Sequence, residues 1–262
     1  MMETKSILKK LSDENFMKDL SVVIPVFNEN HEIIEKIVQE LESLTVEVIV
    51  VDDGSSDPYP KSIKHGTNFG YGASLLTGIK NATRSLIITC DGDGQHSIGD
   101  IINLYIVWRM LKTADMIIGS RRLKTEKWHR TIGRKTLNLI ASIVTGYYFH
   151  DLNSGLRMFK RDVAVGYAPI LCKNFSFTTS ITISMLCDGY RVESFPINVD
   201  ERKYGESKVK VIKHGFLTLY YILYLGTVLR TRRLRAWVRS LPWIGKATSM
   251  PLSQKNIGPI SN

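Results

Sequence analysis

Residues 20–57 read LSVVIPVFNENHEIIEKIVQELESLTVEVIVVDDGSSD, and this stretch decides the fold class. It opens with an apolar, β-branched run, Leu20 to Phe27, whose length and composition predict a buried strand. From Glu29 to Leu44 the residues Ile33, Ile34, Ile37, Val38, Leu41 and Leu44 recur at helical spacing. VEVIVVDDGSSD then returns to a buried strand whose end carries acids. Two strands apolar along their whole length, joined by a helix, describe a parallel unit covered on both faces. The alternation continues: KSIKH is a short strand, Gly70 to Ala82 a helix, SLIITC a strand, Ile98 to Leu111 a helix and DMIIGS a strand. The predicted class is α/β, with an open, mainly parallel sheet flanked by helices.

The second half is less regular. Ile132 to Phe149 is helix-like, with Leu137, Ile140, Ile143, Val144 and Tyr147 on one side. Phe177 to Cys187 reads as a helix, and Gly155 to Lys160 and Gly189 to Val199 as extended segments. The expected division is a polar arm over 1–19, one continuous domain over 20–213, a basic, apolar helical segment over 214–246 and a disordered tail over 247–262.

At 262 residues, 44% hydrophobic and 23% charged, the chain can bury a sizeable core, which excludes disordered, collagen-like and disulfide-scaffold classes. Cys90, Cys172 and Cys187 form no C-x-x-C pair, which argues against a zinc finger and for a reducing compartment. The first twenty residues hold no continuous apolar run, so they do not read as a secretory signal. The net charge of +10 is local: Arg202 to Lys246 contains eleven Lys and Arg against one acid, Glu206, and the remainder balances. Such an excess points to an anionic partner: nucleic acid, anionic lipid or a phosphorylated substrate.

Within that segment lies GFLTLYYILYLGTVL, Gly215 to Leu229. As a helix this length covers about 22 Å, short of the roughly 30 Å hydrocarbon core. Lys208, Lys210 and Lys213 precede it, and Arg230, Arg232, Arg233, Arg235, Trp237 and Trp243 follow. Basic and Trp-rich flanks predict a helix lying on an anionic membrane surface; the alternative is a core or dimer helix with solvated ends. The apolar centre favours lipid over nucleic acid.

Three segments place acids or polar groups at strand ends, where open α/β sheets bind ligands. CDGDGQH, Cys90 to His96, puts Asp91 and Asp93 one residue apart directly after a strand. A divalent cation would relieve their repulsion, and Gln95 adds a neutral oxygen of the kind Mg²⁺ or Mn²⁺ accepts. VVDDGSSD offers Asp53 to a ribose or base edge, with an Asx turn as the bland alternative. In IPVFNEN, Pro25 and Phe27 could flank a planar base and Glu29 hold its edge; a helix start with Asn28 as N-cap explains the same residues. NFGYGAS, Asn68 to Ser74, opens a helix but fails G-x-G-x-x-G, and P-loop, H-E-x-x-H and G-x-S-x-G patterns are missing from the chain. GSRR, NSGLRMFKRDV and ERKYGESK couple Arg or Lys with Gly or Ser, as phosphate grips do and as solvated surface charge does.

Taken in order, SVVIPVFNE, VIVVDDGSSD, NFGYGASLLTGI, DGDGQH, GSRR, D-x-x-SGLRMF and R-x-x-G-x-SK resemble glycosyltransferase family 2, and within it the polyprenyl-phosphate (dolichyl-phosphate) hexosyltransferases. The resemblance runs from about Leu20 to Lys213. It implies a GT-A fold, a nucleotide-sugar donor, a polyprenyl-phosphate acceptor, a divalent metal and residence on the cytoplasmic side of a membrane, peripheral or monotopic. By the family pattern Pro25, Phe27, Glu29 and Asp53 would hold the nucleoside. Asp91, Asp93 and Gln95 would hold the metal and diphosphate. Arg121, Arg157, Arg202, Ser207 and Lys208 would grip donor and acceptor phosphates.

Two departures stand out. Only ten residues separate Asp57 from Asn68, where the family usually has a full helix, which puts the local sheet order in question. In place of two C-terminal transmembrane helices there is one short segment. The sequence leaves a homo-oligomer open. Rival readings are a family 2 enzyme with a glycan or protein acceptor, a non-catalytic scaffold of the same fold, and a sugar-nucleotide pyrophosphorylase, which would carry a basic Gly-rich loop where PVFNEN stands.

Overall fold

The computed structural model describes residues 16–121, 128–198 and 211–240. Seven strands occur among them: β1 (Leu20–Val26), β2 (Glu47–Asp52), β3 (Ile63–Lys64), β4 (Leu86–Thr89), β5 (Met116–Arg121), β6 (Arg157–Lys160) and β7 (Val192–Ile197). The helices are α1 (His31–Glu42), α2 (Tyr71–Asn81), α3 (Ile98–Leu111), α4 (Trp128–Thr145), α5 (Arg161–Tyr167), α6 (Phe177–Cys187) and α7 (Val211–Ser240). The strands form one sheet in the order β3-β2-β1-β4-β6-β5-β7. β1 runs parallel to β2 and β4, and β7 parallel to β5; β6 alone is antiparallel to its neighbours β4 and β5.

The pleat of β1 sends Val22 and Ile24 to one face, where they meet Ile34 and Leu41 of α1 and Ile101 and Leu104 of α3. Val23 points to the other face, against Leu75 and Ile79 of α2 and Phe177 and Ile181 of α6. Burial of both faces is why the β1 and β2 sequences are continuously apolar. The short crossover after Asp57 lacks a helix but keeps β3 as a two-residue edge strand parallel to β2, so the sheet order is preserved there. The buried carboxylate of Asp52 accepts the Ser55 and Tyr59 N–H groups and closes the turn.

A third cluster joins α4, α6 and α7 through Ala141, Ile183, Ile222, Leu225 and Leu229. Gly226 lets α7 approach α4, since a Cβ there would lie 2.3 Å from Val144 Cγ1. The α7 helix is therefore a core helix on one face. Its other face leaves Phe216, Tyr220, Leu223, Tyr224 and Val228 exposed. No helix among the described residues is long and apolar enough to cross a membrane.

Several expectations change. The fourth helix begins at Trp128 and stops at Thr145, because Gly146 takes φ +74° and turns the chain. Ile143 is 71% exposed rather than on the packed side. Asn30, not Asn28, caps α1, its side chain accepting the Glu32 N–H. The seven-residue α5 was not foreseen. Most of the N-terminal arm, the R-x-x-G-x-SK motif with Arg202, Ser207 and Lys208, and the tail lie outside the described residues.

Candidate active site

A cavity of about 730 Å³ opens at the carboxyl ends of β1, β2 and β4. This is where a parallel sheet gathers its loops and binds ligands. Pro25, Phe27 and Glu29 reach it from the end of β1, and Asp53 from the end of β2. Asp91, Asp93 and Gln95 come from the exit of β4, and Arg121 from β5. Residues separated by almost a hundred positions thus share one wall system.

The β1 and β2 exits are tied together. Asn28, at φ +49°, accepts the Ser56 N–H at 2.9 Å and donates its own N–H to Ser55 Oγ at 2.8 Å. That lock presents Phe27 and Glu29 to the cavity. Asp53 borders the cavity but is engaged by the protein itself: its Oδ1 accepts the Phe69 N–H at 2.9 Å and its Oδ2 the Gly70 N–H at 2.8 Å. His65 bridges Asp53 Oδ1 and Thr77 Oγ1. Asp53 therefore pins the start of α2 and shapes the rim.

The glycines of NFGYGAS also find their reason here. A Cβ on Gly70 would lie 2.6 Å from Lys173 O, and one on Gly72 2.2 Å from Cys172 O. The 172–174 segment rests directly on the α2 terminus, and the Ala73 N–H donates to Lys173 O. These glycines admit a neighbouring backbone.

Asp91 accepts the Tyr71 hydroxyl at 2.8 Å, and His96 Nε2 lies 3.6 Å from its other oxygen. Burial pushes the Asp91 carboxyl upward, but the hydrogen bond and charge of His96, with Tyr71 and Arg121, hold it below the ordinary value. Burial, then the Asp91 charge, hold the Tyr71 phenol well above its usual range, so it stays a donor. Asp93 is buried, with Oδ1 accepting the Gln95 N–H. No group of three His, Cys, Asp or Glu with metal-binding geometry occurs among the described residues. The donor set on offer is two carboxylates and an amide, all hard oxygens. That set fits Mg²⁺ or Mn²⁺, which are commonly held by one or two carboxylates plus substrate phosphates.

Arg121 is oriented by Asp151, the first residue of the D-x-x-SGLRMF motif, to which the resemblance assigns no role. Its Nε and Nη2 donate to Asp151 at 2.6 and 3.1 Å, a two-point clamp. Burial raises the Asp151 carboxyl, yet the charge and hydrogen bonds of Arg121 hold it below its ordinary value. Arg157 does not join the cavity. It is wholly buried and donates to Ser154 O, Thr182 Oγ1 and Leu152 O, so it braces the 151–155 loop from behind. Burial pushes its pKa down to about 10, so it remains a cation. The far wall was not anticipated: Tyr71 stacks on Phe175 at 5.4 Å, and Phe175 meets His214 of α7 edge-on at 4.9 Å. These three come from segments far apart in the chain, and no local pattern links them.

Comparison with known proteins agrees with this fold. The description "Glycosyl transferase family 2" matches residues 21–166. An uncharacterized protein of Methanocaldococcus jannaschii is 31% identical over 227 residues, covering 78% of this chain and 91% of its own. Glucosyl-3-phosphoglycerate synthase from Mycobacterium tuberculosis, solved with Mn²⁺ and UDP-glucose, superposes with a TM-score of 0.64 at 16% identity over 82% of each chain. Its complex with Mn²⁺, UDP-glucose and phosphoglyceric acid gives 0.65 at 15% identity over 84% of each. At that identity the likeness is one of fold, and the fold is GT-A-like.

Proposed function

The chain belongs to glycosyl transferase family 2, and from that premise we propose that it moves one hexose from a nucleotide-diphosphate sugar to a polyprenyl or dolichyl phosphate. The donor is of the UDP-glucose or GDP-mannose type, and the reaction runs at the cytoplasmic face of a membrane. The observation that carries the acceptor is continuity. His214 lines the cavity and belongs to α7, whose outer face exposes Phe216, Tyr220, Leu223 and Tyr224. A phosphate in the cavity and an apolar tail along that face would use one continuous surface. The basic residues flanking the apolar run suit anionic headgroups, at about 1 kcal/mol each near the surface.

The donor half rests on the β1, β2 and β4 exits. Phe27 and Pro25 offer apolar surface to a base, Glu29 an acceptor for its edge, and Asp53 holds the rim in shape. Asp91 and Asp93 with Gln95 would hold Mg²⁺ or Mn²⁺, which neutralises a departing nucleoside diphosphate. Arg121, fixed by Asp151, adds a cation on the same wall. Structures of similar fold contain Mn²⁺ and UDP-glucose, which supports this donor type. An acceptor phosphate is already largely ionised at neutral pH and attacks the anomeric carbon without a general base. Direct displacement inverts that centre, and alignment of two anions supplies most of the acceleration.

The test presents the purified full chain with UDP-glucose or GDP-mannose, Mn²⁺ or Mg²⁺, and either polyprenyl phosphate or 3-phosphoglycerate. Sugar label recovered in the organic phase is the expected outcome. Label carried only by 3-phosphoglycerate overturns the lipid acceptor while keeping the family reaction.

A further inference from the structure

We propose that Tyr71 is the positioning residue for Asp91, fixing that carboxylate in the place where it meets the metal and the donor diphosphate; this rests on the metal-dependent donor site proposed above. Asp91 is confined on three sides. The Tyr71 hydroxyl donates to Oδ1 at 2.8 Å, and His96 Nε2 lies 3.6 Å from Oδ2. The Gly155 backbone closes the third side, because a Cβ there would come within 2.4 Å of Oδ2. Of the three, the hydroxyl is the one strong, short contact that can be deleted without changing shape.

Tyr71 is itself held at both ends. As the first residue of α2 it follows Gly70, whose N–H is taken by Asp53 at 2.8 Å. Its ring stacks nearly parallel on Phe175, at an interplanar angle of 13°. Neither the backbone nor the ring is free to swing, so the phenol oxygen is delivered to one point. The buried acid at the end of β2 thus acts on the acid at the end of β4: Asp53 sets the helix start, the helix start sets Tyr71, and Tyr71 sets Asp91. This gives the tyrosine of NFGYGAS a role that the glycines around it do not explain.

The experiment measures Mn²⁺ binding to the full chain by electron paramagnetic resonance at saturating UDP or GDP, in the wild type, Tyr71→Phe and Phe175→Leu. Removing the partner of a metal ligand costs about 10- to 100-fold in affinity, and a loss at the lower end is expected for Tyr71→Phe. The thermal midpoint should stay in place, since the ring and its stacking remain. Phe175→Leu keeps the hydroxyl and loses its support, so a smaller loss of about two- to fivefold is expected. Wild-type Mn²⁺ affinity in Tyr71→Phe overturns the assignment. Should that variant not fold, wild-type affinity in Phe175→Leu overturns it instead. Failure of the wild type to bind Mn²⁺ is a different result, and it removes the metal site on which the assignment rests.

Discussion

Replacing Gly155 with alanine adds a single methyl group and delivers it to the acidic centre. Gly155 is not among the positive-φ glycines, so alanine meets no backbone penalty and the effect is purely steric. The new Cβ would lie 2.4 Å from Asp91 Oδ2, 2.7 Å from Oδ1 and 2.8 Å from Cγ. Real Cβ contacts essentially never fall below 3.0 Å, so at least 0.6 Å, the difference between 3.0 and 2.4, must be found. The loop cannot easily supply it. Thr89 Oγ1 donates to Gly155 O at 2.6 Å, and Arg157 Nε holds the neighbouring Ser154 O at 2.8 Å. The carboxylate therefore gives way and leaves the Tyr71 hydroxyl. Overpacking of this kind costs about 1–3 kcal/mol. At about 2–4 °C per kcal/mol for a chain of this size, melting should fall by roughly 2–12 °C. Displacing a reacting group by ~1 Å costs on the order of 100-fold in rate, so transfer should fall about 10- to 100-fold. Circular dichroism melting and label transfer measure the two effects separately. Lower melting with an undiminished rate would refute the role given to Asp91, and no change in either would refute the packing argument itself.

Arg157→Met keeps an apolar stem and orphans the acceptors on Leu152, Ser154 and Thr182. Each unsatisfied buried acceptor costs about 1–3 kcal/mol, offset by release of a buried charge, for a net destabilisation of about 2–4 kcal/mol by urea unfolding. The Michaelis constant for the acceptor should not move, and a tenfold rise would return Arg157 to the phosphate site. Because Arg121 depresses Asp151, that pair's stabilisation is complete above the ordinary carboxylate value of 3.8 and is lost as pH falls through the lower folded value. Acid melting curves should show this limb in the wild type and lack it in Asp151→Asn; identical curves would discount the pair. Charge reversal at Arg230, Arg232 and Arg233 should weaken sedimentation with anionic vesicles, and salt should do the same to the wild type. Binding indifferent to both would remove the electrostatic part of the membrane reading.

The first half of the fold was legible because its strands are buried on both faces and its helices on one, so the period of the apolar residues reports the packing directly. Ile98–Leu111 matches its predicted bounds. Phe177–Cys187 also matches, although it is buried along almost its whole length and its bounds come from flanking residues rather than from an apolar period. Periodicity faltered at α4, where apolar residues occupy two stripes, one packed through Leu137, Ile140 and Val144 and one exposed through Leu139 and Ile143. The acids at 91 and 93 were legible because strand ends of a parallel sheet converge in space. Their supports were not. Tyr71 acts through a hydroxyl that pattern cannot distinguish from an ordinary helix tyrosine, and Asp151 lies thirty residues from the arginine it orients. The burial of Arg157 was not legible, because a motif gives residue type and spacing only, and a guanidinium serves carbonyls as well as phosphates. The Asp53 carboxylate likewise sits at the expected place, with the protein's own backbone as its partner.

The proposed reaction requires that the cavity at the ends of β1, β2 and β4 hold a nucleoside diphosphate through a divalent ion on Asp91 and Asp93. Titration calorimetry of UDP and GDP into the wild type and Asp93→Asn, each with Mn²⁺ and with chelator, tests it directly. At least one nucleotide should bind the wild type with Mn²⁺, and chelator or the Asp93→Asn substitution should weaken binding at least tenfold. Binding of equal strength under all four conditions, or no binding of either nucleotide to the wild type with Mn²⁺, would contradict it.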